Sequence, residues 1–209
     1  MDYCVDDIRE IVRGFVSEKR FKHILGVERE AYKLGKIFIP DKVEKLRLAG
    51  LLHDITKDFN TEKQLELCDQ YGIKYDLNNL VPKLLHAKTG CAFARNLLND
   101  QIVDEEVYNG IAFHTTGRAQ MTLFEAIVYL ADYIEDTRTF EDCVFLRDYF
   151  YKNIELANDY SSMLLVLQKT MILSFNLTIK NLMEENKQID SDTIDARNYF
   201  VSTNNVFNS

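Results

Sequence analysis

The chain contains 4 histidines, His23, His53, His86 and His114. Each falls on, or at the end of, a different expected helix. Side chains from several helices can converge on one interior point of a bundle, and helical proteins build metal sites in this way. His53 is followed directly by Asp54, in Leu51-Leu52-His53-Asp54-Ile55-Thr56-Lys57. Neighbouring helical residues point about 100° apart, yet one ion beside the end of the helix can be reached by both. Imidazole nitrogen with carboxylate oxygen suits iron, manganese, cobalt or zinc. The pair follows an apolar run, which puts two polar groups at a core-facing position where leaving them unpaired is costly. Asp132 is a second anomaly, inside the near-apolar run Ile127-Val128-Tyr129-Leu130-Ala131-Asp132-Tyr133-Ile134. An aspartate there faces water or binds something, and its face-mates Val128 and Glu125 do not decide which.

Taken singly, these residues have ordinary explanations. A histidine on an apolar helix face is more often a hydrogen-bonded core residue than a ligand. Lys57, Arg118 and Arg138 read by default as solvated surface charges. An HD dipeptide also arises by chance. The order H…HD…H…H…D along one chain is what weakens the ordinary explanations.

The elements that must position these residues are helical. Only 2 prolines and 8 glycines occur in 209 residues, and hydrophobic residues make up 46%, enough for a sizeable core. The spacing predicts helices over 5–16, from Glu18 to about Lys36, and over 42–55. Thr61 and Gln64 have the spacing of a capping box for a helix through about Cys68. Residues 71–79 read as a loop. Helices follow over 81–98 and from Asp104 to His114, and Thr122 with Glu125 forms a second capping box for a helix to about Ile134. The last expected helices cover 139–151 and 160–185. Residues 186–209, rich in Asn, Ser, Thr and Asp, read as a weakly ordered polar tail. The expected architecture is a single all-α helical bundle over 1–185.

The formal net charge of -8 argues against a nucleic-acid groove, though a metal ion can reverse the sign locally for an anionic small molecule. The first residues lack the basic and apolar regions of a signal peptide, and no apolar run looks long enough to cross a membrane. The 4 cysteines are scattered, with no CxxC pair, and read as reduced thiols. A cytoplasmic protein without nucleic-acid or membrane partners is expected.

The words around the histidines resemble the YqeK family of HD-domain metal-dependent phosphohydrolases. Phe21-Lys22-His23-Ile24-Leu25-Gly26-Val27 is similar to its opening motif, and Leu46 to Lys57 to its HD motif. His86-Ala87 with Gly90-Cys91 resembles its third motif. Ala112-Phe113-His114-Thr115-Thr116-Gly117-Arg118 resembles its fourth, and Ile127 to Glu135 its fifth, with Arg138 following. The resemblance covers about 5–185. It departs at Asp136, where the family commonly has proline.

The resemblance implies a symmetrical bis(5′-nucleosyl)-tetraphosphatase that splits diadenosine tetraphosphate into two ADP. It implies His23, His53, Asp54 and Asp132 as ligands of a metal, iron foremost, with manganese, cobalt or zinc as alternatives. It places His86, His114 and Arg138 around the phosphates. His86 and His114 either hold a second ion or donate to phosphate, and the sequence leaves both open. Asp54, Lys57, His86 and His114 are the expected catalytic groups. His23, Thr115, Asp132 and Arg138 join Asp54, His86 and His114 against the nucleotide. A dinucleoside polyphosphate and its nucleoside diphosphate product are then the partners, and a homodimer is compatible. The competing expectations are an HD-domain phosphohydrolase of another nucleotide, and a nucleoside-diphosphate-binding regulator with little turnover.

Overall fold

A computed structural model describes residues 3–77, 81–203 and 206–207. Residues 78 and 79 of the expected loop, and 204, 205, 208 and 209 of the expected tail, lie outside them. Ten α-helices follow one another, and no strand occurs among the described residues. They are α1 (Val5–Arg13), α2 (Glu18–Phe38), α3 (Val43–Leu52), α4 (Thr61–Tyr71), α5 (Pro82–Leu98), α6 (Glu105–Ala112), α7 (Leu123–Ile134), α8 (Glu141–Glu155), α9 (Tyr160–Glu184) and α10 (Ser191–Ser202).

The centre of the bundle is α2 packed along α3 and α7. On α2, Ile24, Val27, Ala31 and Leu34 recur three and four residues apart and are fully buried. Gly50 lets α3 close on α2, since a Cβ there would stand 3.1 Å from the Cα of Glu28. The buried Glu28 carboxylate takes Arg9 of α1 at 2.7 Å and Arg47 of α3 at 2.8 Å. One buried charge therefore ties three helices, and its hydrogen bonds offset the cost of desolvating it.

Helix starts follow local chemistry. Ser17 Oγ accepts from the backbone N–H of Arg20 at the start of α2, and Thr122 and Glu125 form the expected capping box of α7. The Thr61–Gln64 box does not form. Asn60 caps α4 instead, its Oδ1 accepting from Lys63 N at 2.8 Å. Gln64 is thereby freed to turn inward.

Three further expectations are corrected. The helix expected over 42–55 ends at Leu52, and residues 53–58 form successive tight turns closed by Ile55 N to Leu52 O, Lys57 N to Asp54 O and Phe59 N to Thr56 O. Ser191–Ser202, in the expected tail, forms α10 and packs on α9. Its Thr193, Ala196 and Phe200 lie on one face and are buried, so a narrow apolar stripe replaces the tertiary anchor that composition did not show. Helix α9 is long and apolar enough by composition to cross a membrane, with mean hydropathy 1.4 over its most apolar window, contrary to the reading from sequence. Its Leu164, Leu167, Met171 and Phe175 are buried in the bundle, and 39% of the apolar window is buried in all.

Candidate metal centre

Three helices and two turns deliver the chemistry. His23 comes from α2, His53 and Asp54 from the turn after α3, His86 from α5, His114 from the turn after α6, and Asp132 from α7. All four imidazoles are held the same way round. His53 Nδ1 lies 2.7 Å from Gly50 O, His86 Nδ1 2.7 Å from Lys83 O, and His114 Nδ1 2.7 Å from Ile111 O. A carbonyl only accepts, so each Nδ1 carries the proton and each Nε2 presents a lone pair. His23 Nδ1 lies 3.0 Å from Glu135 Oε1, which fixes the fourth ring likewise. This is the arrangement in which outer partners orient metal-binding imidazoles.

The lone pairs meet carboxylate oxygens. His23 Nε2 is 3.0 Å from Asp132 Oδ1, and His53 Nε2 is 3.6 Å from it. Asp54 stands between two groups. Its Oδ2 is 3.7 Å from His23 Nε2 and 3.4 Å from His53 Nε2, while its Oδ1 is 3.1 Å from His86 Nε2 and 3.6 Å from His114 Nε2. His86 Nε2 and His114 Nε2 approach to 3.1 Å. Lone pairs this close repel unless a cation lies among them. His23 Nε2 and His53 Nε2 are buried without a hydrogen-bond partner, an uncommon state for such atoms. Ligand atoms of His23, His53 and Asp132, and of His53, Asp54 and His114, lie within 4.8 Å of one another in each group. The donor set fits a divalent cation of the first transition row.

Electrostatics agree. Burial alone would lift the Asp54 carboxyl, but the surrounding imidazoles hold it well below the usual carboxylate range. Burial opposes ionisation of Asp132 too, and Arg138 and His23 outweigh it. Burial would pull His23 down, yet the nearby Asp132 carboxylate and its bond to Glu135 carry it up to about 9, a proton serving where a cation is wanted. Burial pushes His86 down to about 4 and lowers Lys57.

The centre lies at the wall of a cavity of about 730 Å³ lined by Asp54, Lys57, His114, Thr115, Asp132 and Arg138, among others. Lys57 Nζ sits 3.1 Å from His86 Nε2, and Thr115 Oγ1 3.1 Å from His114 Nε2. Arg138 donates to Asp132 Oδ1 at 2.5 Å. The residues expected at the site, His23, His53, Asp54, Lys57, His86, His114, Thr115, Asp132 and Arg138, thus lie together, whereas Arg118 pairs with Glu125 at 2.6 Å and lines neither large cavity. Asp136 stands apart as well. It pairs with Arg29 at 2.9 Å and lines neither large cavity.

Two residues of the site were missed. Arg20 donates to Asp54 Oδ2 at 2.7 Å, and Glu135 orients His23. Each stands three positions from a ligand, Arg20 before His23 and Glu135 after Asp132, so one helical turn was the available signal.

Residues 20–137, more than half of the chain, match the HD domain family. The chain belongs to the HD-domain family. This HD-domain chain is 32% identical to the symmetrical bis(5′-nucleosyl)-tetraphosphatase of Staphylococcus aureus over 94% of each chain. It is 32% identical to the protein of that name from Halalkalibacterium halodurans, over 90% of this chain and 92% of the other. The one from Bacillus subtilis is 30% identical over 91% and 94%. A crystal structure from Clostridium acetobutylicum, described as a predicted HD superfamily hydrolase involved in NAD metabolism, superposes with a TM-score of 0.82 at 36% identity, covering 96% of this chain and 98% of the other.

Proposed function

We propose that this HD-domain protein cleaves diadenosine tetraphosphate symmetrically, giving two ADP. The observation that carries the reading is the convergence of four imidazole Nε2 atoms and two carboxylates at a cavity wall, in a chain alike over almost its whole length to proteins of that activity. In this reading His23, His53, Asp54 and Asp132 hold the ion. Iron is the first candidate, with manganese, cobalt or zinc as alternatives. A second ion would sit on the His86–His114 side of Asp54, whose two oxygens face the two groups.

A bound divalent ion would offset phosphate charge, polarise a phosphoryl oxygen and lower the pKa of water. The chain's own residues do the rest. Arg138 can offer forked N–H donors to phosphate oxygens while Asp132 holds it in place. Lys57, half-buried against His86, would place an ammonium beside the central bridge, where charge grows on the departing oxygen. His114 and His86 present Nε2 acceptors that can take a proton and, once protonated, donate to phosphate, and Thr115 adds a hydroxyl beside them. Water adds to one inner phosphorus, the central P–O bond breaks, and the departing oxygen takes a proton.

In an acidic chain with this site, a nucleotide is the favoured partner over nucleic acid or a membrane, and the cytoplasm is the favoured compartment. The test is product analysis after incubating the protein, loaded with iron(II), manganese, cobalt or zinc, with diadenosine tetraphosphate. ADP as the sole nucleotide product is expected. ATP with AMP would contradict symmetrical cleavage, and retained nucleotide without turnover would favour a regulator.

A further inference from the structure

A second cavity, of about 600 Å³, shares a wall with the first. Arg20, Arg138 and Phe140 line both. Lys19 and Lys22 line only the second, which also reaches His23 and Glu135 on the far side of the metal centre. We propose that this second cavity is a subsite for a nucleoside diphosphate, so that a two-ended substrate lies across both cavities with its phosphates over Arg20 and Arg138. The inference rests on the reading of the chain as a dinucleoside polyphosphate hydrolase and names how it holds its second half.

Four observations carry it. Both volumes fall in the range of about 300–1,000 Å³ common for small-molecule sites. The charge is inverted locally: in a chain of net charge -8, the second cavity gathers Lys19, Arg20, Lys22 and Arg138. Its two acids already have partners within its wall. Glu135 takes His23 and Thr137, and Asp58 accepts from Ser17 N at 2.8 Å. Lys19 and Lys22 have no ion pair among the described residues. The shared wall is also short of acceptors. Arg20 and Arg138 each spend one nitrogen on a metal-centre carboxylate, and each keeps a buried Nε without a hydrogen-bond partner, that of Arg20 lying 3.9 Å from Asp58 Oδ1. A polyphosphate crossing the wall supplies acceptors to both guanidinium groups. Phe140, in the same wall, is 70% exposed. A large aromatic ring left in water at a mouth shared by two cavities is a ready face for a nucleobase.

One cavity alone would accept a mononucleotide and a dinucleotide alike. Two cavities on either side of the ligand cluster give a substrate with a nucleoside at each end a contact for both ends. Cleavage between them leaves one diphosphate in each.

The metal-loaded full chain is titrated with ADP by equilibrium dialysis, and its hydrolysis of diadenosine tetraphosphate is measured in parallel. Two ADP per chain are expected. The double variant Lys19→Glu/Lys22→Glu should bind one ADP and show KM raised about tenfold, with a smaller change in kcat. Phe140→Ala should raise KM as well. The double variant Lys152→Glu/Lys169→Glu, with the same charge change away from both cavities, should match the parent. One ADP per chain, with unaltered KM in both cavity variants of a protein that still splits the substrate, overturns the subsite and leaves the proposed activity standing. Two ADP per chain without hydrolysis by the parent protein supports the subsite and removes the activity.

Discussion

His23 donates its Nδ1 proton to Glu135 at 3.0 Å and presents Nε2 to Asp132, also at 3.0 Å. Glu135 is itself fixed, for Thr137 donates to it from both N and Oγ1 at 2.7 Å. A side chain that touches no substrate thus sets the angle of a proposed ligand.

Gly26 makes room for this acid, since a Cβ there would fall 2.1 Å from Glu135 Oε2. Gly→Ala inside a helix ordinarily helps by about 1 kcal/mol. Here Gly26→Ala should displace a pinned carboxylate and weaken metal retention about 10–100-fold, as should Glu135→Ala. Chelator competition reads the effect. The double variant should lose no more than the worse single one, because both act through one orientation. Additive losses would contradict the coupling.

His114→Ala should spare the fold and cut kcat by about 100-fold or more, or raise KM sharply. Removing it takes away one of the two Nε2 acceptors that face Asp54 Oδ1. Steady-state kinetics with circular dichroism decides. Parent-like kinetics would return His114 to a plain core histidine.

Gln64 is buried and donates to Thr56 O at 2.6 Å while accepting from Thr89, whose Oγ1 also lies 3.1 Å from Thr56 Oγ1. Thr56 Oγ1 in turn donates to His86 O at 3.1 Å. This network pins the turn carrying Asp54 and Lys57 against the helix carrying His86. Gln64→Leu leaves a buried carbonyl unpaired, at about 1–3 kcal/mol, or roughly 2–12 °C in Tm for a chain of this size. Turnover should fall as well. An unchanged Tm by calorimetry would show that the network holds nothing in place.

The sequence carried much of this because ligand residues are rare and their order is informative. Four histidines, Asp54 and Asp132 could be singled out by type and order, Arg138 only through the family resemblance, and the helices bearing them follow from apolar spacing. Lys57, three residues after Asp54, lines the same cavity as Asp54, although the backbone between them is a turn and not the expected helix. Tertiary bonds made that difference: Gln64 and Thr89 take up Thr56, which no local pattern announces. Arg20 and Glu135 escaped notice because exposed-looking charges in amphipathic helices are ordinary. Helix α10 escaped because its composition is polar, and its two fully buried apolar anchors, Ala196 and Phe200, have meaning only against α9.

Phe200→Ala tests that last point. Phe200 is fully buried, with Phe175 and Phe207 rings 5.7 Å away. Its loss should cost about 3–5 kcal/mol, measured by denaturant unfolding. A cost near zero would mean that α10 is not held on the bundle.

The central claim is that the Nε2 atoms around Asp54 and Asp132 form a metal centre. Crystals of the iron-loaded protein, measured at the iron edge, locate the ion directly. An anomalous peak among His23 Nε2, His53 Nε2, Asp54 and Asp132, lost in Asp54→Ala, is the predicted result. Iron bound elsewhere, or no peak in a protein that still turns over its substrate, would contradict it.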